Sequence, residues 1–89
     1  MVRQNVEIIN PSGLHLRPAV ELAKLATTCS SKVSLIYQDK TANAKSSLNI
    51  MALVIKKGSK ITIVCEGDTE QQDLQKMVDF IKNGAGELE

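Results

Sequence analysis

The only histidine of the chain, His15, stands where a turn-rich stretch, Asn10-Pro11-Ser12-Gly13, gives way to a segment with helical periodicity. As the N-cap of that helix it lies beside the backbone N–H groups of Leu16 and Arg17, which a first turn leaves unpaired, while Pro18 has no donor to lose. Gly13 gives the backbone freedom just ahead, and Arg17 adds a forked cation. Leu16, Arg17 and Pro18 thus make an anion-binding helix terminus next to an imidazole. The lone pair of an imidazole nitrogen is a nucleophile. Phosphoryl transfer asks for little beyond in-line positioning and charge stabilisation, so a phosphohistidine suits these residues. The same residues also fit an exposed histidine that only caps its helix, with Arg17 paired to Glu21 one turn on.

A second polar pair, Ser46-Ser47, precedes the apolar run Leu48 to Val54. Ser46 is of N-cap type, and a phosphate there would put about two negative charges on another helix N-terminus. A helix of barely two turns cannot bury every apolar side chain in that run, so some stay exposed. Leu48 and Met51, rimmed by Arg17, Lys24 and Lys45, form a candidate docking patch.

These groups need elements to hold them. With 89 residues, 43% apolar and 24% charged, the chain is expected to fold as a single domain over 1–89, with a loose tail from about residue 85. Val2, Val6 and Ile8 alternate with Arg3, Asn5 and Glu7 as a first strand over Val2–Ile9. Leu16, Ala19, Val20 and Ala23 recur at helical spacing up to about Thr27. Val33, Leu35 and Tyr37 alternate, and Lys40–Ala44 can return across Gln38-Asp39 as a hairpin. Leu48, Met51 and Ala52 mark a short helix, with Lys56-Lys57-Gly58 at its C-terminus. Ile61, Ile63 and Cys65 give a fourth strand, and Thr69-Glu70-Gln71-Gln72 reads as a capping box opening a last helix that stops at Gly84. The order βαββαβα with one apolar face per helix is α+β: a two-layer open-faced sandwich in which three helices cover one face of a four-stranded antiparallel sheet.

Composition removes several function classes. A net charge of +1 with one Tyr, one Phe and no Trp is poor provision for direct nucleic-acid binding. Between Pro11 and Lys57, however, seven basic residues face two acidic ones, a local excess of five that suits an acidic partner. Cys29 and Cys65 fit no metal spacing and no disulfide framework, so they read as reduced, small hydrophobes; no metal or cofactor is expected. No segment has the length for membrane insertion or the pattern of a secretory leader, which points to the cytoplasm. Neither a glycine-rich phosphate loop nor paired catalytic carboxylates nor a serine triad can be assembled, so autonomous turnover is not expected.

The segment Pro11-Ser12-Gly13-Leu14-His15-Leu16-Arg17-Pro18-Ala19, with Lys45-Ser46 further on and the βαββαβα order, resembles the HPr family of phosphocarriers of the bacterial sugar phosphotransferase system. That resemblance implies that His15 accepts a phosphoryl group on Nδ1 from enzyme I charged by phosphoenolpyruvate and passes it to the IIA domains of sugar permeases, with Arg17 stabilising the phosphate. It implies that Ser46 is a regulatory site for an ATP-dependent serine kinase/phosphorylase, and that the chain could meet a catabolite-control repressor. Leu16, Lys24, Lys45, Ser47, Leu48 and Met51 become partner-binding residues, and the chain a monomer. Three positions depart from the family pattern: Leu16 replaces a small residue or Thr, Ser47 an apolar residue, and Val54 a frequent Gly. Leu16 leaves the backbone donors intact, whereas Ser47 removes an apolar contact from the patch. Competing readings are a regulatory or nitrogen-branch paralogue with the same histidine chemistry, a small acyl phosphate hydrolase, and an interaction module in which His15 merely caps.

Overall fold

The computed structural model describes residues 1–86, in the order βαββαβα. Strands β1 (Val2–Glu7), β2 (Lys32–Tyr37), β3 (Lys40–Asn43) and β4 (Lys60–Glu66) form one antiparallel sheet ordered β1-β4-β2-β3. Register follows the alternation: Val6 opposes Ile61, and Leu35 opposes both Ile63 on one side and Ala42 on the other. These residues are buried on the helix-facing side, as the two-residue period requires. The hairpin turn Gln38-Asp39 joins the Tyr37–Lys40 pair, with Gln38 at φ 57°. That left-handed value is what the first central position of a type II′ turn demands. None of the helices among the described residues is long and apolar enough to cross a membrane.

Helix α1 (Leu16–Thr27) buries Pro18, Ala19, Leu22, Ala23 and Ala26. Its buried stripe is therefore rotated from the one expected: Leu16 is 65% exposed, and Leu22 and Ala26, spaced one turn apart, take its place. In α2 (Ser47–Ala52) the buried residue is Ile50, joined by Leu53 just beyond the helix. Leu48, expected on the inner face, is 75% exposed and Ala52 faces solvent. Two turns offer only one residue pair at three-residue spacing to the core, and Ile50/Leu53 win over Leu48/Met51 because Leu53 leads directly to buried Ile55. Helix α3 (Glu70–Lys82) buries Leu74, Met77, Val78 and Ile81, as its periodicity predicts.

Helix ends supply the remaining corrections. Lys56-Lys57-Gly58 do not terminate α2. The helix closes at Leu53, and Val54 takes the left-handed cap at φ 54°, its N–H on the Met51 carbonyl at 3.1 Å. This is the position where glycine is favoured. Thr69 does not cap α3 through its side chain: at ψ 29° its hydroxyl turns away from the first-turn N–H groups and donates instead to Asp73 Oδ2 at 2.8 Å. Glu70 Oε1, rather than Gln72, reaches back to a backbone donor, the Gly67 N–H. At the far end Gly84 N–H bonds Ile81 O and Ala85 N–H bonds Phe80 O, a Schellman pair. Ala85 is buried, against the expectation of a loose tail from about residue 85; residues 87–89 lie outside the described residues.

Asp73 is buried at 4% exposure and accepts the Ser31 N–H at 3.1 Å. Hydrogen bonds from Ser31 and Thr69 hold its carboxyl well below the usual carboxylate range, at about 2. This bond joins the start of β2 to α3 across the sequence.

Two outcomes follow from these ends. A carboxyl whose folded value lies below its unfolded one stabilises fully above the unfolded value of 3.8 and loses that contribution as pH falls through 4 toward 2. Asp73→Ala should cost about 2 kcal/mol at neutral pH by leaving the Ser31 amide unpaired. In urea titrations its stability deficit should shrink between about pH 4 and pH 2; a deficit that does not vary with pH would refute this assignment. Conversely, Val54→Gly should stabilise the protein by about 1 kcal/mol. A β-branched residue at positive φ costs about 1–3 kcal/mol, more than the extra backbone entropy of Gly, and Val54 is 58% exposed, so little burial is lost. A lower urea midpoint for the glycine variant would show that Val54 packing outweighs its backbone strain.

Candidate functional site

The loop that carries His15 is fastened to the turn preceding β4. Leu14 N–H donates to Ile55 O at 2.9 Å, Ile8 N–H to Ser59 O at 2.8 Å, and Gly58 N–H to Ile8 O at 2.7 Å. Leu14 and Ile55 are both buried beneath this contact. Gly13, at φ 63°, passes so close that a Cβ would run into the Ile55 carbonyl oxygen and lie 2.8 Å from Lys56 Cα. Only glycine fits. Buried Asn10 closes the loop internally, its Nδ2 donating to Gly13 O at 2.6 Å while its carbonyl accepts the Gly13 N–H at 3.1 Å.

His15 is the N-cap of α1, with extended backbone (φ −78°, ψ −164°) and its carbonyl on Ala19 N–H at 2.8 Å. Its imidazole makes no capping hydrogen bond and is exposed. His15 is thus the exposed N-cap residue that the sequence suggests, and it caps through its backbone, leaving the ring nitrogens outside the cap. Leu16 and Arg17 occupy the first two helical positions, so the helix offers their N–H groups no partner. Pro18 is buried in that turn. Arg17 is exposed and forms no ion pair among the described residues; Glu21 instead lies 3.9 Å from Lys24 Nζ, a loose and exposed pair worth little.

Ser46 is the N-cap of α2 and is half-buried, its Oγ accepting the Asn49 N–H at 3.2 Å and Asn49 Nδ2 at 3.0 Å. Neither α1 nor α2 has an acidic residue in its first turn, whereas α3 carries Glu70 and Asp73 there. The two helices that begin at His15 and Ser46 thus keep the positive ends of their dipoles unneutralised by their own side chains.

The residues expected to form a docking patch lie on α1, α2 and the turn between β3 and α2. A shallow groove lined by Val20, Ala23, Lys24, Thr27, Lys45 and Ser47 runs between the two helices. Leu16 and Leu48 protrude at their starts, and Met51 is half-buried against the core. Lys45 differs from a free rim charge: its ammonium donates to the Cys29 carbonyl at 3.1 Å, past the C-terminus of α1, where a cation is favoured.

Two residues escaped the sequence reading. Lys56 and Lys57, taken there as helix-terminal cations, line an open depression together with His15, Pro11 and Ser12. The local basic excess was their only signal. The cysteines offer no rival nucleophile. Cys29 and Cys65 are unpaired and buried, and burial pushes both thiols up, Cys65 to about 11 with Cys29 and Asp73 nearby adding to the effect.

Comparison with known proteins agrees with this architecture. The family model described as PTS HPr component phosphorylation site matches residues 2–83. The phosphocarrier protein HPr of Lysinibacillus sphaericus is 36% identical over 81 residues, covering 91% of this chain and 92% of its own. The HPr-like protein Crh of Bacillus subtilis is 34% identical over 82 residues, covering 92% and 96%. Among solved structures, HPr from Thermoanaerobacter tengcongensis superposes with a TM-score of 0.93 at 36% identity, covering 98% of each chain. A histidine freed at a helix start, a loop that only glycine can close and a match across the whole sheet and all three helices place the chain in the HPr family of the phosphotransferase system, whose members are phosphocarriers and not enzymes.

Proposed function

We propose that His15 is the phosphoryl-carrying residue, loaded by enzyme I charged with phosphoenolpyruvate and unloaded onto the IIA domains of sugar permeases in the cytoplasm. The observation that carries this reading is an exposed imidazole at the start of α1 that spends no hydrogen bond on capping. Its ring nitrogen attacks the donor's phosphorus as the bond to the donor breaks, and delivery runs the same exchange in the opposite direction. The Leu16 and Arg17 N–H groups and the Arg17 guanidinium then lie on the side where the phosphoryl oxygens gather. Arg17 is free for this role because Glu21 turns to Lys24. The chain acts as a monomer, with Leu16, Lys24, Ser47, Leu48 and Met51 meeting its partners.

Ser46 is the regulatory position in this reading, a substrate for a serine kinase/phosphorylase, with a catabolite-control repressor as the partner of the phosphorylated form. A phosphate there adds roughly −1.5 to −2 charges to the basic face and would reduce docking to acidic partners. The likeness to the protein named Crh favours a second reading, a regulatory paralogue using the same fold for signalling, which differs in the IIA domain that takes the phosphoryl group.

Intact mass after incubation with phosphoenolpyruvate and catalytic enzyme I should show one acid-labile phosphoryl group, absent in His15→Ala. No addition with an enzyme I active on another carrier would refute the carrier reading. At low salt, Ser46→Asp should accept phosphate from enzyme I several-fold more slowly than the parent chain, and the difference should fade as salt screens the added charge. Equal rates at low salt would remove the electrostatic account of Ser46.

A further inference from the structure

The depression at His15 is not lined by Arg17. Its walls are Pro11, Ser12, His15, Lys56 and Lys57, two cations and no carboxylate. Both lysines are exposed, and neither ammonium takes part in a hydrogen bond or ion pair among the described residues. Their backbone is nevertheless fixed. The turn is closed by Ser59 N–H on Lys56 O at 3.0 Å and by Lys56 N–H on Ser59 Oγ at 3.2 Å. Gly58 N–H on Ile8 O and Leu14 N–H on Ile55 O then lock it to the loop that ends at His15. Gly13 packs on the Lys56 backbone with no room for a Cβ between them. Two flexible ammonium groups thus stand on a rigid base in the depression that the imidazole lines.

We infer that Lys56 and Lys57 form a second cationic arm that neutralises the phosphoryl group carried on His15, complementing Arg17 and the helix N–H groups. This rests on the carrier reading and adds residues to it. A phosphoryl dianion on the ring would face Arg17 from α1 and the two lysines from the turn before β4, with no acidic side chain lining the depression. Exposed ammonium groups at this range act through water, so each contributes modestly and is screened by salt. Their long stems let them follow the phosphoryl group without a fixed geometry, which the Arg17 fork lacks.

The test loads His15 chemically, so that no partner protein can mask the result. Phosphoramidate transfers its phosphoryl group as the ring nitrogen attacks phosphorus and ammonia leaves. Phosphorus NMR then follows the second ionisation of the bound phosphoryl group with pH. In Lys56→Met/Lys57→Met at low salt the titration midpoint should rise by about half a pH unit per lysine removed, because nearby cations favour the dianion. Lys56→Arg/Lys57→Arg should restore the original midpoint, and about 1 M salt should bring the Met variant and the parent chain together. A merely structural role for the lysines would leave the midpoint where it is. If the parent chain takes an acid-labile phosphoryl group on His15 but the Met variant titrates identically, the lysine arm falls and the carrier reading stands. If the parent chain takes no phosphoryl group on His15, both fall.

Discussion

The site depends on one close backbone approach, Gly13 against Ile55 and Lys56. Leu14 N–H on Ile55 O at 2.9 Å brings the loop after β1 and the turn before β4 into van der Waals contact, and the missing Cβ of Gly13 makes the approach feasible. Leu14 and Ile55 are then driven into the core together, so the hydrophobic term and the hydrogen bonds act on the same few residues. His15 follows Leu14 directly. With the preceding residue buried and the succeeding helix packed through Pro18 and Ala19, its backbone has little freedom while its ring is held in solvent. The order of the site is thus inherited from the core, and its accessibility from where the core ends.

The same junction explains what sequence could and could not reveal. Strands were legible because burial on one face and exposure on the other write a two-residue alternation, as Val33, Leu35 and Ile61, Ile63 do. His15 and Ser46 were legible because helix starts have a strong local chemistry that needs no knowledge of tertiary contacts. The inner face of α2 was not, because six residues with four apolar side chains satisfy more than one helical stripe, and the choice is made by Ile55 further along the chain. Lys56 and Lys57 stayed hidden for the same reason. Followed by Gly58, they carry the composition of a helix end, and only the contact with Gly13, more than forty residues earlier in sequence, moves them next to His15. The burial of Asp73 left no mark in the sequence, because a carboxylate in the first turn of a helix normally faces water, whereas here a distant backbone N–H draws it inward.

Helix ends do two different jobs in this fold. At α3 the positive end is answered within the chain, by Glu70 and Asp73, and that helix serves as a stabilising element under the sheet. At α1 and α2 no acidic residue answers it. Leaving a helix terminus without its complement forgoes a few tenths to about 1 kcal/mol. Both open ends occur at the residues proposed to carry phosphate, and both neighbour exposed leucines. A negative group added there meets a field that is already in place, with no rearrangement of the backbone.

A carrier differs from an enzyme in what its site must avoid. A deep, dry pocket would bind a phosphoryl group strongly and hold it, and transfer onward would then be slow, since binding that lowers the loaded state more than the transition state raises the barrier out of it. An exposed ring flanked by solvent-screened cations does the opposite. Each interaction is weak in water, so under the proposed function the loaded state would stay close in energy to its neighbours in the relay, and a partner docking over Leu16 and Leu48 would complete the water-excluded environment that accelerates in-line transfer. On this view the exposed leucines and the exposed lysines are matched features: the former would exclude water when a partner arrives, and the latter would keep the phosphoryl group neutralised between partners without trapping it.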